Sequence, residues 1–236
     1  MLIVSCSKII PTKGNLKGNV SFIMESEYLA KVKCGKIKKS KLLSKTTYKF
    51  DKKRKIIGKI DYNEESLHRH WNFKYDKNEN LIEENCYNSK KRLEYNWVYK
   101  YNKKGKIIKK SLSNYGRLRC KSFYQYSKKG NWFKENKYYA KKNYYFKSFT
   151  KCDDKGNILE ENNYTTDGSK NMLYRRIFKY EKNANVIEEN WYDPKLVLNL
   201  RRTYMYKYDS KGNWITKIAF FGSKIETITE RKIKYY

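Results

Sequence analysis

Few residues in this chain have the types and spacing that catalysis or metal binding needs. The histidines are His68 and His70, two apart in Leu-His-Arg-His. On a strand they share a face and could begin a metal site, but zinc takes three or four ligands and no third is evident. Neither histidine lies in a nucleophile motif. Cysteines at 6, 34, 86, 120 and 152 form no Cys-x-x-Cys pair. Free buried thiols are the expectation, with Cys152 as a small apolar substitute for a strand tyrosine. Glu83-Glu84, Glu160-Glu161 and Glu188-Glu189 offer paired carboxylates of the sort used in acid–base catalysis. They recur beside lysine-rich segments, which favours cross-strand charge pairing. Gly14-Asn-Leu-Lys-Gly18 lacks the Gly-Lys-Ser/Thr ending of a phosphate loop. The sequence thus predicts no enzyme, no cofactor and no metal.

What would position any site is a repeat. Its clearest copy is Tyr204-Met-Tyr206-Lys-Tyr208-Asp209-Ser-Lys-Gly212-Asn213-Trp214-Ile215. Asp at the first position of a type I turn bonds the backbone ahead, and Gly after the turn accepts positive φ. That combination is a three-residue hairpin with a bulge. It predicts Tyr208 opposite Trp214 and Tyr206 opposite Thr216 on one face, with Met205, Lys207, Ile215 and Lys217 on the other. Taking Trp214 as the marker, copies fall at Ile56, Leu81, Ile107, Trp132, Ile158, Val186 and Trp214, spaced by 25 to 28 residues. Such a period means repeat architecture. The copy near Ile56 has Arg54 and Lys55 where Gly and Asn stand elsewhere, so its turn is expected to be looser or of another type.

The chain is 39% hydrophobic but 17% aromatic, with 24 Tyr, 5 Trp and 2 Pro. Amphipathic rings suit half-buried pleated strands, and strands lose a ladder bond at each proline. No apolar run approaches the roughly 18–20 residues of a membrane helix. The net charge is +31, either a solvated surface or attraction to an anionic polymer or membrane surface. Lys49, Lys74, Lys100, Lys151, Lys179 and Lys207 occupy one strand position, with Gln125 breaking the row. A stacking platform could come from rows of rings. The candidate binding surface is therefore Tyr99, Tyr101, Tyr124, Tyr126, Trp132, Tyr206, Tyr208 and Trp214 with Lys74, Lys100, Lys179 and Lys207. Nucleic acid is the alternative ligand, disfavoured because the basic residues are mostly Lys, and Arg makes the bidentate contacts.

The expected fold is all-β: an antiparallel meander of about seven repeated hairpins, too many strands for a flat open sheet, hence one strongly twisted, spiral or barrel-like sheet. Residues 19–236 read as a single domain, with a degenerate opening hairpin at 19–45, repeats at 46–221 and a closing strand at 225–236. Outer connectors such as Asn88-Ser89 and Thr166-Asp167-Gly168-Ser169 carry turn chemistry of their own. Residues 1–18 read as a truncated lipoprotein signal and tether. Ile3 to Cys6 matches the end of a bacterial lipoprotein signal, with Cys6 as the lipid-bearing residue, though five residues cannot supply the whole leader.

At the level of Tyr-x-Tyr-Asp-x-x-Gly-Asn the chain resembles the YD repeats of the RHS family, and the longer pattern resembles small repeat lipoproteins of Bacteroidetes-type bacteria. The resemblance covers about residues 20–236. It implies a non-enzymatic, extracytoplasmic protein with a structural or binding role at the bacterial cell envelope. It also implies membrane attachment only through a lipid anchor. An envelope polysaccharide or other anionic polymer is the expected partner. The shells and toxin cargo of large RHS proteins do not carry over, because no cargo domain is present.

Overall fold

The computed structural model describes residues 16–63, 66–140, 145–165 and 171–236. Ile3 to Cys6 and the connector at 166–169 lie outside them. Sixteen strands and no helix are found among the described residues: β1 (Val20–Lys33), β2 (Lys36–Phe50), β3 (Ile56–Asn63), β4 (Ser66–Tyr75), β5 (Leu81–Asn88), β6 (Leu93–Tyr101), β7 (Ile107–Asn114), β8 (Arg117–Tyr126), β9 (Trp132–Tyr139), β10 (Tyr145–Cys152), β11 (Ile158–Thr165), β12 (Met172–Tyr180), β13 (Val186–Tyr192), β14 (Leu198–Tyr208), β15 (Trp214–Phe221) and β16 (Lys224–Tyr235). Each strand bonds its neighbours in sequence, and β1 also pairs with β16, so the antiparallel meander has the strand order of a closed barrel. The chain divides into two compact units, one holding Lys74–Glu84 and Leu93–Arg201, the other Asn15–Phe73, Asn85–Arg92 and Arg202–Tyr236.

The tight turns follow one recipe. The Asp209 carboxylate accepts the N–H groups of Lys211 at 3.0 Å and Asn213 at 2.8 Å. Asp76, Asn102 and Asp153 do the same in their own turns, and Asn88 and Asp193 do so in outer connectors. Gly212 then takes φ 78°, where a Cβ is disfavoured. The turn at Asp51 is a correction. It has the same backbone bonds, Arg54 N–H to Asp51 C=O and Asp51 N–H to Lys55 C=O, both 2.9 Å, and Arg54 itself adopts φ 66°. The Asp51 bonds outweigh the strain of a left-handed arginine, so the turn type does not change.

A bulge corrects the expected register. Tyr208 lies opposite Trp214, but Lys207 then pairs with Thr216, Tyr206 with Lys217 and Tyr204 with Ala219. Ile215 is the extra residue, and beyond it every pairing shifts by one. Lys217 therefore shares a face with Tyr206. The same bulge beside the turn recurs where β2 meets β3, β6 meets β7, β10 meets β11 and β12 meets β13.

In each unit one face of the sheet is buried. In the first, this inward face carries Tyr99, Ser122, Tyr124, Phe133, Ser148, Thr150, Asn163, Phe178 and Glu189. In the second, Val20, Ile23, Tyr48 and Phe50 form a core packed against Leu16, Ile56, Ile233 and Tyr235. Cys86 and Cys120 are buried free thiols and Cys34 is an exposed one. Cys152 departs from the free-thiol expectation: it is disulfide-bonded.

Candidate aromatic and lysine surface

The tyrosine ladder lies on the inward face and is tied into the fold. The Tyr99 hydroxyl donates to Glu84 at 2.7 Å and that of Tyr124 to Glu135 at 3.1 Å. Burial first, and the adjacent carboxylate second, hold both hydroxyls well above their usual range. Tyr101, Tyr126 and Tyr180 donate to the carbonyls of Leu81, Ile107 and Ile158, at 2.6, 2.9 and 2.7 Å. Each acceptor is a repeat marker on the neighbouring strand, so these hydroxyls staple strands together. In the second unit Tyr206 packs on Tyr208 and Trp214, with ring centroids 6.2 and 6.0 Å apart. Arg231 stacks on Trp214 at 3.3 Å and donates to Glu25 at 2.8 Å.

The paired carboxylates separate in the same way, because adjacent strand residues face opposite sides. Glu161 and Glu189 turn inward and both contact Arg176. Glu160 turns outward to Arg175 at 3.0 Å. Glu188 also turns outward, to Lys179 at 2.9 Å and Arg201 at 2.8 Å. Bonds from Lys179 and Asn190 hold the Glu188 carboxyl down at about 2. None of the pairs forms a two-carboxylate cleft. His70 stacks on Tyr87, centroids 4.9 Å apart. Among the described residues no group of three or more potential ligands is placed to hold a metal.

The residues proposed from sequence as one surface thus fall on two faces. Tyr99, Tyr101, Tyr124, Tyr126, Tyr206, Tyr208 and Trp214 are inward, and of these Tyr99 and Tyr124 are buried. Lys74, Lys100, Lys179 and Lys207 are exposed, and among them Lys179 is held by Glu188. Trp132 joins the exposed set. Its turn has Ser127 in place of Asp or Asn, and the Ser127 hydroxyl donates to the Asn131 side chain at 2.9 Å. The closing bond runs from Ser127 N–H to Trp132 C=O, one residue later than in the Asp209 turn. Tyr126 consequently faces Phe133, without a bulge. One residue of slip exchanges the faces: Phe133 fills the inward slot and Trp132 is turned out.

Outward, β7 to β11 carry a regular lattice. Phe123 pairs directly with Lys109, Tyr138 with Lys121, Phe149 with Lys134, Trp132 with Lys151 and Tyr164 with Lys147. Phe123, Trp132, Tyr138 and Phe149 are 41%, 42%, 46% and 37% exposed. Trp132, Phe149 and Tyr164 run across three strands with successive centroids 6.5 and 6.1 Å apart, and Phe123 meets Tyr138 at 5.9 Å. Lys147 reaches the Phe149 ring at 5.2 Å and Lys109 the Phe123 ring at 5.6 Å. Among the described residues none of these lysines makes an ion pair. Chemically, this is a ridged apolar floor with a cation beside every ring. Phe123, Tyr138, Phe149 and Tyr164 were missed as site residues because strand alternation alone does not say which face is buried. The available signal was the pairing of each with a lysine.

No family model matches the chain, and no curated protein matches it. Among solved structures, similarity is found to a porin-like protein from Bacteroides uniformis (9% identity, TM-score 0.41, covering 93% of this chain and 98% of that one). A DUF1329 family protein from Desulfovibrio piger is similar at 11% identity and TM-score 0.31, covering 92% and 86%. A LolA superfamily protein from Nitrosomonas europaea is similar at 10% identity and TM-score 0.29, covering 92% and 87%. Likenesses of this strength carry no functional argument. The resemblance to RHS-family YD repeats is corrected, because no family model matches the chain. The physical reason lies in the motif: Asp accepts two turn N–H groups and Gly supplies positive φ, so Tyr-Asp-x-x-Gly-Asn reports hairpin geometry and not descent.

Proposed function

We propose that this protein is a non-enzymatic binding protein of the bacterial cell envelope, and that its outward face on β7–β11 takes an acidic polymer, an envelope polysaccharide in the first instance. On this reading an array of about seven repeated hairpins is the scaffold, and Lys100 and Lys179 flank the surface. The observation that carries the reading is the set of five aromatic–lysine pairs on adjacent strands. A sugar ring packs its C–H face on an aromatic ring, and a carboxylate or sulfate on that sugar meets the lysine beside it. A neutral polymer would leave the lysines unused.

The test is titration of the full-length protein with polygalacturonate and with neutral dextran, at low and high salt. Binding should be selective for the acidic polymer and fall steeply with salt. Phe149→Ala and the Lys134→Glu/Lys147→Glu pair should each weaken it by about tenfold or more, as removing a ring or reversing charge at a binding surface does. Equal binding of dextran, or variants that bind as the parent does, refutes the reading. Tighter binding of oligo(dT) than of polygalacturonate would assign the same lattice to single-stranded nucleic acid.

A further inference from the structure

The hairpin of β1 and β2 outruns its neighbours. β1 pairs with β16 only as far as Leu29 opposite Thr227, and β2 pairs with β3 only from Lys45 onward. Residues 30–39, from Ala30 opposite Lys39 to the tip, therefore form a two-stranded ribbon with no third strand, and positions 31–40 are all exposed. An isolated two-stranded ribbon is marginal in water. This one also sets Lys31 opposite Lys38 and Lys33 opposite Lys36 on one face, where like charges directly opposed are destabilising. The other face carries Val32 opposite Ile37, at 62% and 41% exposure. From Tyr28 to Lys45 the sequence holds no acidic residue. Among the described residues, the ribbon lysine that is neutralised is Lys39 at its base, which meets Glu230 at 2.8 Å.

We propose that this ribbon is a membrane-surface contact that docks on anionic lipid headgroups. The two faces fit the two layers of such a surface. Val32 and Ile37 rest at the headgroup–acyl boundary, while the lysine stems bend back so that their ammonium groups reach lipid phosphates. Bound phosphates also remove the repulsion between opposed lysines, so the charges that weaken the free ribbon stabilise the docked one. A second copy of the chain would bring the same positive charge and be repelled. A nucleic acid would satisfy the lysines but leave the aliphatic face in water. The proposal is independent of the β7–β11 lattice, which lies on other strands.

Cys34 sits at the ribbon's tip and is the exposed free thiol among the described residues, so it reports directly on docking. The full-length protein, labelled there with an environment-sensitive fluorophore and compared with a Cys34→Ala control, is mixed with vesicles. One set is of phosphatidylglycerol and phosphatidylcholine, the other of phosphatidylcholine alone. A blue shift is expected with the anionic vesicles only. Lys31→Glu/Lys38→Glu should weaken vesicle binding at least about tenfold, given the contribution of each lysine near an anionic surface. Val32→Asn/Ile37→Asn should abolish the blue shift. Lys128→Glu/Lys129→Glu, an equal change of net charge in a different exposed turn, should leave both intact. The proposal is overturned if this control weakens binding as much as the ribbon variant, if vesicles bind without a shift at Cys34, or if single-stranded DNA competes the protein off the vesicles.

Discussion

Trp132 and Lys151 stand directly opposite each other on the outward face of β9 and β10, while the equivalent marker Trp214 faces inward beneath Arg231. The two tryptophans occupy the same repeat position and opposite sides of the sheet. The difference comes from one residue of turn length after Ser127. Urea unfolding should expose it. Phe133→Ala, which empties an inward slot, should cost about 3–5 kcal/mol as a buried aromatic truncation does. Trp132→Ala should cost less than about 1 kcal/mol, as surface changes usually do. Were the bulged register of the other hairpins to hold here, the order would reverse.

The left-handed turn residues make a second set of outcomes. Ala184 and Leu196 hold φ 58° and 62° at the position that Gly212 fills in its own turn. Left-handed backbone costs an L-residue roughly 1–2 kcal/mol, partly offset by the greater unfolded-state entropy of glycine. Ala184→Gly and Leu196→Gly should therefore each raise stability by about 0.5–1 kcal/mol, the net of those two terms. Gly212→Ala should lower it, and thermal melts of the three variants check the sign.

Glu188 gives a pH signature. Side-chain bonds from Lys179, and then from Asn190, hold its carboxyl at about 2 in the fold against an ordinary 4.5. The unfolded chain takes up this proton at higher pH than the folded one. The stabilisation is therefore complete above pH 4.5 and is lost as the pH falls toward 2. Melting temperatures of the parent and of Glu188→Gln should differ most above that window and converge below it. A gap that stays constant down to the acid end would mean that Glu188 acts through packing alone.

Much of the architecture was legible in residue spacing, because turn chemistry is local. Asp209 and Gly212 specify their turn with no help from the rest of the chain. The left-handed Arg54 was not legible, because the tolerance of a poor residue depends on the Asp51 bonds around it. The faces were harder still. Tyr124 and Phe123 are both aromatic, adjacent and strand-forming, and only the choice of which face of the sheet packs inward decides that Tyr124 is buried and Phe123 exposed. For the same reason the site proposed from sequence mixed inward rings with outward lysines. The protruding ribbon was visible only as a basic segment, since its exposure depends on where β3 and β16 stop.

The charged interior supports a last expectation. Glu189 is fully buried and accepts from the Trp191 indole at 2.7 Å and from Arg176 at 3.5 Å. Arg176 also binds Glu161 and lies 4.9 Å from the Trp191 ring and 5.3 Å from that of Phe178. One guanidinium thus serves two carboxylates that the sheet directs inward from β11 and β13. Removing it takes a charged partner from each, and breaking a buried pair from one side costs about 3–5 kcal/mol. Arg176→Met should destabilise by that amount in urea. Adding Glu161→Gln and Glu189→Gln to Arg176→Met should recover much of the loss, because amides need no countercharge and a buried ion cluster is often no more stable than a neutral replacement. If the triple variant is as unstable as Arg176→Met alone, the arginine contributes through its contacts with Phe178 and Trp191, and the ion pairs are incidental to stability.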